Sequence, residues 1–121
     1  MKKKIIKILA EKGEIYFTEL KMLIPEIKGK FAIYMPVKDN INPNILLLDG
    51  VSSDFIKIFN ELFIEKKIYW NAVRIVDIIT SGAPMYSGIP IATMKRAKTK
   101  EHCWLPIKIK LKERRYENEM Q

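Results

Sequence analysis

The chain has one histidine and one cysteine, and they are neighbours, His102 and Cys103. Zinc takes three or four protein ligands at regular spacing, so this pair alone cannot build a metal site. Nor does it make a nucleophile and its base, because adjacent residues of an alternating strand point to opposite faces. The phosphate-cradling pattern GxxxxGK[ST] and the nucleophile elbow GxSxG are missing, and no two carboxylates are spaced so that sequence alone brings them together. The expectation is a binding protein with no catalytic residue, cofactor or metal.

What the chain does supply is positive charge. Its formal net charge is +8, and such an excess on a small protein favours polyanionic partners, nucleic acid foremost. Between positions 95 and 115, Lys95, Arg96, Lys98, Lys100, Lys108, Lys110, Lys112, Arg114 and Arg115 are set against only Glu101 and Glu113, a local net of +7. Residues 39 to 94 hold four basic and six acidic groups, so the excess is a patch and not an even compositional bias. Lys95, Arg96, Lys98 and Lys100 around a turn, with Lys108 and Lys110 on the adjoining strand, can neutralise several phosphates together. The competing reading is a solvated sheet face whose lysines guard an edge against strand-to-strand association.

Two further groups could touch nucleic acid. Ser53, Lys57, Asn60 and Glu61 share the side of an amphipathic segment opposite its apolar stripe, and Lys and Asn can reach phosphates or base edges. Asp54, Glu61 and Glu65 leave that segment nearly neutral, which equally suits a structural helix. Tyr69, Trp70 and Trp104 could stack on unpaired bases, although aromatics dominate small cores and core packing is the stronger expectation.

The elements that must position these groups follow from apolar spacing. Ile5, Ile6, Leu9 and Ala10 recur at helical spacing over Lys2 to Glu11, and Gly13 supplies the stop. Ile15 to Phe17 is a short extended piece, and Thr18 is the expected N-cap of a second helix carrying Leu20, Leu23 and Ile24, which Pro25 closes. Phe31 to Val37 alternates, with Phe31, Ile33, Met35 and Val37 on one face. Asp39 to Asn44 is a turn and Ile45 to Leu48 the return strand of a hairpin. Phe55, Ile58, Phe59, Leu62 and Phe63 predict a third helix, capped by a serine, with Asp54 in its first turn and Lys66 and Lys67 at its end. Phe59 and Leu62 are its expected core, and Ile56 and Ile64 widen the stripe enough to imply contact between two copies.

Ile68 to Ile79 reads as extended, with a buried helical turn or two open as the alternative for Ala72 to Ile79. Gly82 to Pro90 is a loop. Ile91 to Ala97 and Cys103 to Leu111 are then two strands around Lys98 to His102. In the second, Ile107, Ile109 and Leu111 face the core while Lys108, Lys110 and Lys112 face out.

In this order the chain resembles a winged helix-turn-helix DNA-binding domain. Phe17-Thr18-Glu19-Leu20-Lys21 with Ile24-Pro25-Glu26-Ile27 is similar to the second helix and turn. Gly50-Val51-Ser52-Ser53-Asp54-Phe55, running on to Leu62 and Lys67-Ile68, resembles the recognition helix and the entry into the first wing strand. The resemblance implies an α+β, winged-helix-like fold, with three N-terminal helices, an inserted hairpin and a C-terminal basic β-hairpin as the wing. A single domain over residues 1 to 113 is expected, with a polar tail over 114 to 121. The turn between second and recognition helices is ordinarily a few residues, whereas Lys28 to Asp49 intervenes here; either that segment is an insertion or the third helix is not the reader.

The implied function is a regulator that binds duplex DNA as a homodimer, in transcription or in the replication or partition of a mobile element. Two alternatives stand beside it: an assembly protein whose basic hairpin docks on an acidic partner, and a binder of RNA or single strands. The lone cysteine, the lack of a secretion leader and apolar runs far short of the roughly 20 residues of a membrane span predict a cytoplasmic protein with no membrane association.

Overall fold

A computed structural model describes residues 1–36 and 41–112. Val37, Asp39 and Asn40 of the expected strand and turn, and Glu113, Arg114 and Arg115 with the expected tail, lie outside the described residues.

Helix α1 (Lys2–Lys12) buries Ile5 and Leu9 and stops at Gly13, whose N–H still donates to the Leu9 carbonyl and whose φ of 79° turns the following chain out of the helix. Strand β1 (Glu14–Tyr16) runs directly into α2 (Phe17–Leu23). The cap differs from the expected one. Tyr16 is the N-cap and its N–H donates to the Glu19 carboxylate at 3.2 Å, while Thr18 is buried inside the first turn. The earlier start buries Phe17 against Phe55 and Phe59, at ring-centroid distances of 6.0 and 4.9 Å. Burying a Phe is worth about 1.5–3 kcal/mol, a hydroxyl cap about 1, so packing decides the boundary.

After a 3-10 turn at Pro25–Ile27, β2 (Lys28–Tyr34) and β3 (Ile45–Val51) form the expected antiparallel hairpin. Its facing is not the simple alternation. The register jumps on both sides of Phe31, which is 55% exposed while Ile33 is buried; bulges break the two-residue period. Gly29 sits where β2 crosses the entry to the next helix, and a Cβ there would lie 2.6 Å from the Ser52 backbone.

Helix α3 (Ser53–Ile64) begins at Ser52, whose Oγ accepts from the Phe55 N–H at 3.1 Å, and it buries Phe55, Phe59 and Leu62. Phe63 is largely outside the core, so the stripe is narrower than its spacing implied. Lys66 takes the left-handed conformation at φ 58°, with its N–H on the Phe63 carbonyl and the Lys67 N–H on that of Leu62.

The stretch Ile68 to Ile79 splits into β4 (Ile68–Ala72) and α4 (Ile75–Ser81), so its second half is helical as the alternative had it, but the helix buries only Ile78 and leaves Val76 and Ile79 exposed. The expected C-terminal hairpin does not form. Ile91 makes one isolated bridge to Trp104, and Arg96–Lys98 is a 3-10 turn. Strand β5 (Cys103–Trp104) runs parallel to β3, and β6 (Ile107–Leu111) departs to another sheet. Pro106 lies at the break and has no N–H to give a ladder.

Among the described residues, α1 to α4 pack with two three-stranded sheets, β1-β6-β4 and β2-β3-β5, an α+β architecture. Strand β3 is central in its sheet, which is why Ile45, Leu46, Leu47 and Leu48 are all buried. The main core joins α1, α2, α3, β3 and β6 through Leu9, Leu20, Phe55, Leu62, Leu48 and Ile109. In the first sheet Ile109 pairs with Ile15 and Trp70 on the core side, and Lys110 with Glu14 and Tyr69 on the other.

Candidate nucleic-acid interface

The cationic segment from Lys95 to Lys100 is an anchored turn, built around Asn42, which is 2% exposed. The Asn42 amide nitrogen donates to the Arg96 carbonyl at 3.0 Å and the Glu101 carbonyl at 2.6 Å, and lies 3.7 Å from the Cys103 sulfur. Its side-chain oxygen accepts from the Asn44 N–H at 2.8 Å, and its own N–H donates to the Ala97 carbonyl at 2.9 Å. Asn44 adds a bond from its amide to the Lys100 carbonyl at 2.7 Å. The segment leading into β3 thus grips both ends of the turn. A buried amide with its donors and acceptor satisfied holds backbone in one geometry. Asn42-Pro43-Asn44 is readable in sequence as an Asx turn; its distant partners are not.

Lys95, Lys98 and Lys100 are exposed on this turn and form no ion pair among the described residues. Arg96 differs. Its guanidinium donates to the Ile91 carbonyl at 2.7 Å and lies 3.5 Å from the Glu101 carboxylate, so it braces the loop and is not available to a phosphate in the way the sequence implied.

Lys108 and Lys110 do not adjoin that turn on one hairpin, since β6 belongs to the β1-β6-β4 sheet while the turn is pinned to β3 and β5. Lys108 is 3.4 Å from Glu14 and its ammonium lies over the Tyr16 ring at 4.8 Å. Partial burial works against its charge, but the Glu14 carboxylate and Tyr16 outweigh it and hold the ammonium above the ordinary lysine range. Lys110 stands half-exposed beside them, with no ion pair among the described residues. The expected patch is therefore divided between two sheets.

Ser53, Lys57 and Asn60 do share an exposed ridge of α3. Of the aromatics, Trp104 is buried against Tyr16 and Ile78, Trp70 packs on the main core, and Tyr69 alone is 43% exposed. Cys103 is buried, and desolvation first, then the Glu101 charge, push its thiol up against the opposing pull of Arg96; a thiol so placed is a poor nucleophile. His102 turns outward, with Nε2 3.3 Å from the Tyr34 hydroxyl. No group of three or more metal-capable side chains occurs among the described residues, and no described helix is long and apolar enough to cross a membrane.

One surface was not foreseeable from local spacing. Met22 and Leu23 of α2 line a groove with Glu19, Ser81, Gly82, Ala83 and Pro84, and Val76 and Ile79 of α4, the helix that ends at Ser81, are exposed. Residues 72 to 94 contain only two charged groups, Arg74 and Asp77, paired at 3.2 Å. That uncharged run is visible in composition, but its meeting with Met22 and Leu23 is not.

Compared with protein-family models, curated proteins and solved structures, the chain matches none.

Proposed function

We propose that the chain is a DNA-binding regulatory protein of winged-helix-like build, in which the basic wing hairpin is replaced by an anchored cationic turn. The order α1, β1, α2, α3, β4, β6, with β6 paired between β1 and β4, supports the winged-helix part of this reading. On it the β2-β3 hairpin is an insertion between second and third helices. The observation that carries the proposal is the Asn42 clamp: it fixes Lys95, Lys98 and Lys100 in the connection between β4 and β6, where a wing belongs. A preorganised turn loses little conformational entropy on meeting phosphates. These lysines supply sequence-independent affinity, and Ser53, Lys57 and Asn60 on α3 are the groups able to read bases.

Titration of duplex DNA over a salt series tests it. Affinity should fall with salt at a log–log slope of about −0.9 per phosphate neutralised, and Lys98→Glu with Lys100→Glu should flatten that slope by about one unit for each phosphate no longer bound. Asn60→Ala should weaken a specific site selectively, by about 1–3 kcal/mol. No duplex binding at low salt would sink the proposal and leave an acidic protein surface as the better partner for the turn.

Action as a homodimer is part of the same proposal. The exposed Met22, Leu23, Val76 and Ile79 support it better than the expected face of α3, where Ile56 packs on the core while Ile64, 77% exposed, and Phe63 stand clear. In a chain of net charge +8, a surface whose charges are Glu19 and the Arg74–Asp77 pair is one that a second copy approaches with less repulsion than the lysine-rich faces.

A further inference from the structure

The first sheet presents a second cationic surface that the duplex reading does not use. Lys108, Lys110 and Lys112 alternate along the outward side of β6, and the register sets Tyr69 opposite Lys110 and Asn71 opposite Lys108. The Lys112 N–H donates to the Lys67 carbonyl at 3.0 Å, so the two chains stay side by side to that point. Lys108 is engaged by Glu14 and Tyr16. Lys110 and Lys112 form no ion pair among the described residues, and the half-exposed Tyr69 ring lies beside them.

We propose that this face binds single-stranded nucleic acid, with one base lying on the Tyr69 ring and the adjoining phosphates on Lys110 and Lys112. Directly opposed side chains of an antiparallel pair start about 5 Å apart, and residues two apart along a strand about 6.8 Å, so a ring and two ammonium groups occupy one small surface. A positive groove with an aromatic platform is the general solution for unpaired strands, because every base has a π-face and stacking needs no particular sequence. An intact duplex cannot use Tyr69, since each of its base faces is already covered by a neighbour. Charge complementarity selects a polyanion and the ring selects one with unpaired bases. The exposed Asn71 amide, next on the same side of β4, offers both a donor and an acceptor to a base edge. No residue here belongs to the Lys95–Lys100 turn, so the site stands independently of the duplex proposal.

The test uses the full chain and labelled oligo(dT) and oligo(U) of roughly 12 nucleotides, read by fluorescence anisotropy over a salt series. Tyr69→Ala should weaken binding of at least one of the two roughly 5- to 150-fold, Tyr69→Phe should restore it, and duplex affinity should be unchanged in both. Lys110→Glu with Lys112→Glu should flatten the salt slope by about 0.7 for each phosphate no longer bound. Preference for oligo(U) or oligo(dT) would show which of the two single strands the face favours within the proposed class. Lys98→Glu with Lys100→Glu should leave single-strand binding in place. Absence of single-strand binding at low salt would overturn the proposal. So would unchanged binding in a Tyr69→Ala protein whose far-UV circular dichroism is native, or abolition of single-strand binding on changing the turn lysines alone.

Discussion

Asn42 and Arg96 look like ordinary surface residues in the chain, and the fold makes both of them internal braces. Each hydrogen bond of the Asn42 amide to the Arg96 and Glu101 carbonyls joins segments more than 50 residues apart, so removing it uncouples the cationic turn from β3. Asn42→Ala takes the donor from the Glu101 carbonyl and the acceptor from the Asn44 N–H, while the Arg96 carbonyl keeps its bonds from the Thr99 N–H and hydroxyl; a group left unpaired out of water costs about 1–3 kcal/mol. Urea denaturation should show a loss of that order, and on the proposed function duplex affinity should fall with it even though none of the lysines proposed to meet phosphate has changed. Asn44→Ala, which removes one exposed bond to the Lys100 carbonyl, should cost less than about 1 kcal/mol. Equal stability of Asn42→Ala and the unaltered protein would refute the clamp.

At the scale of elements, α3 was the most legible part of the sequence because its apolar residues repeat at the helical period and Ser52 caps it; only the exposed side of Phe63 departs. Its C-terminus carries a cost that sequence spacing does not reveal. Lys66 occupies the left-handed position that closes the helix through the Phe63 and Leu62 carbonyls, a conformation costing a residue with a Cβ about 1–2 kcal/mol. Glycine there avoids the strain but loses more entropy on folding. Lys66→Gly should therefore raise stability by about 0.5–1 kcal/mol, measured as an increased urea midpoint at constant m-value. Gly29→Ala should act in the opposite sense, since the added methyl meets Ser52 and Val51 backbone that cannot swing aside.

For the whole molecule, assembly is the property most open to measurement. Sedimentation at tens of micromolar should give a dimer, with Ile79→Lys shifting it to monomer and Ile64→Lys leaving it intact. Introducing one charge on an isologous face places two in the interface, which costs several kcal/mol when they are desolvated. A monomer at high concentration in the unaltered protein would remove the dimer from the proposal.

Local periodicity determined α1, α3 and the cationic outer side of β6, because each rests on spacing between near neighbours in the chain; it located the β2-β3 hairpin but not its facing, which the bulges at Phe31 set. Composition alone located the excess of charge. Only the tertiary structure decided which strands pair. Cys103–Trp104 and Ile107–Leu111 look like one strand until Pro106 and the pull of two separate cores send them to different sheets. That division turned an expected wing hairpin into a clamped turn and a separate lysine-rich sheet face. Pairing partners far apart in sequence leave no periodic trace, since the ladder is made by backbone groups that every residue carries.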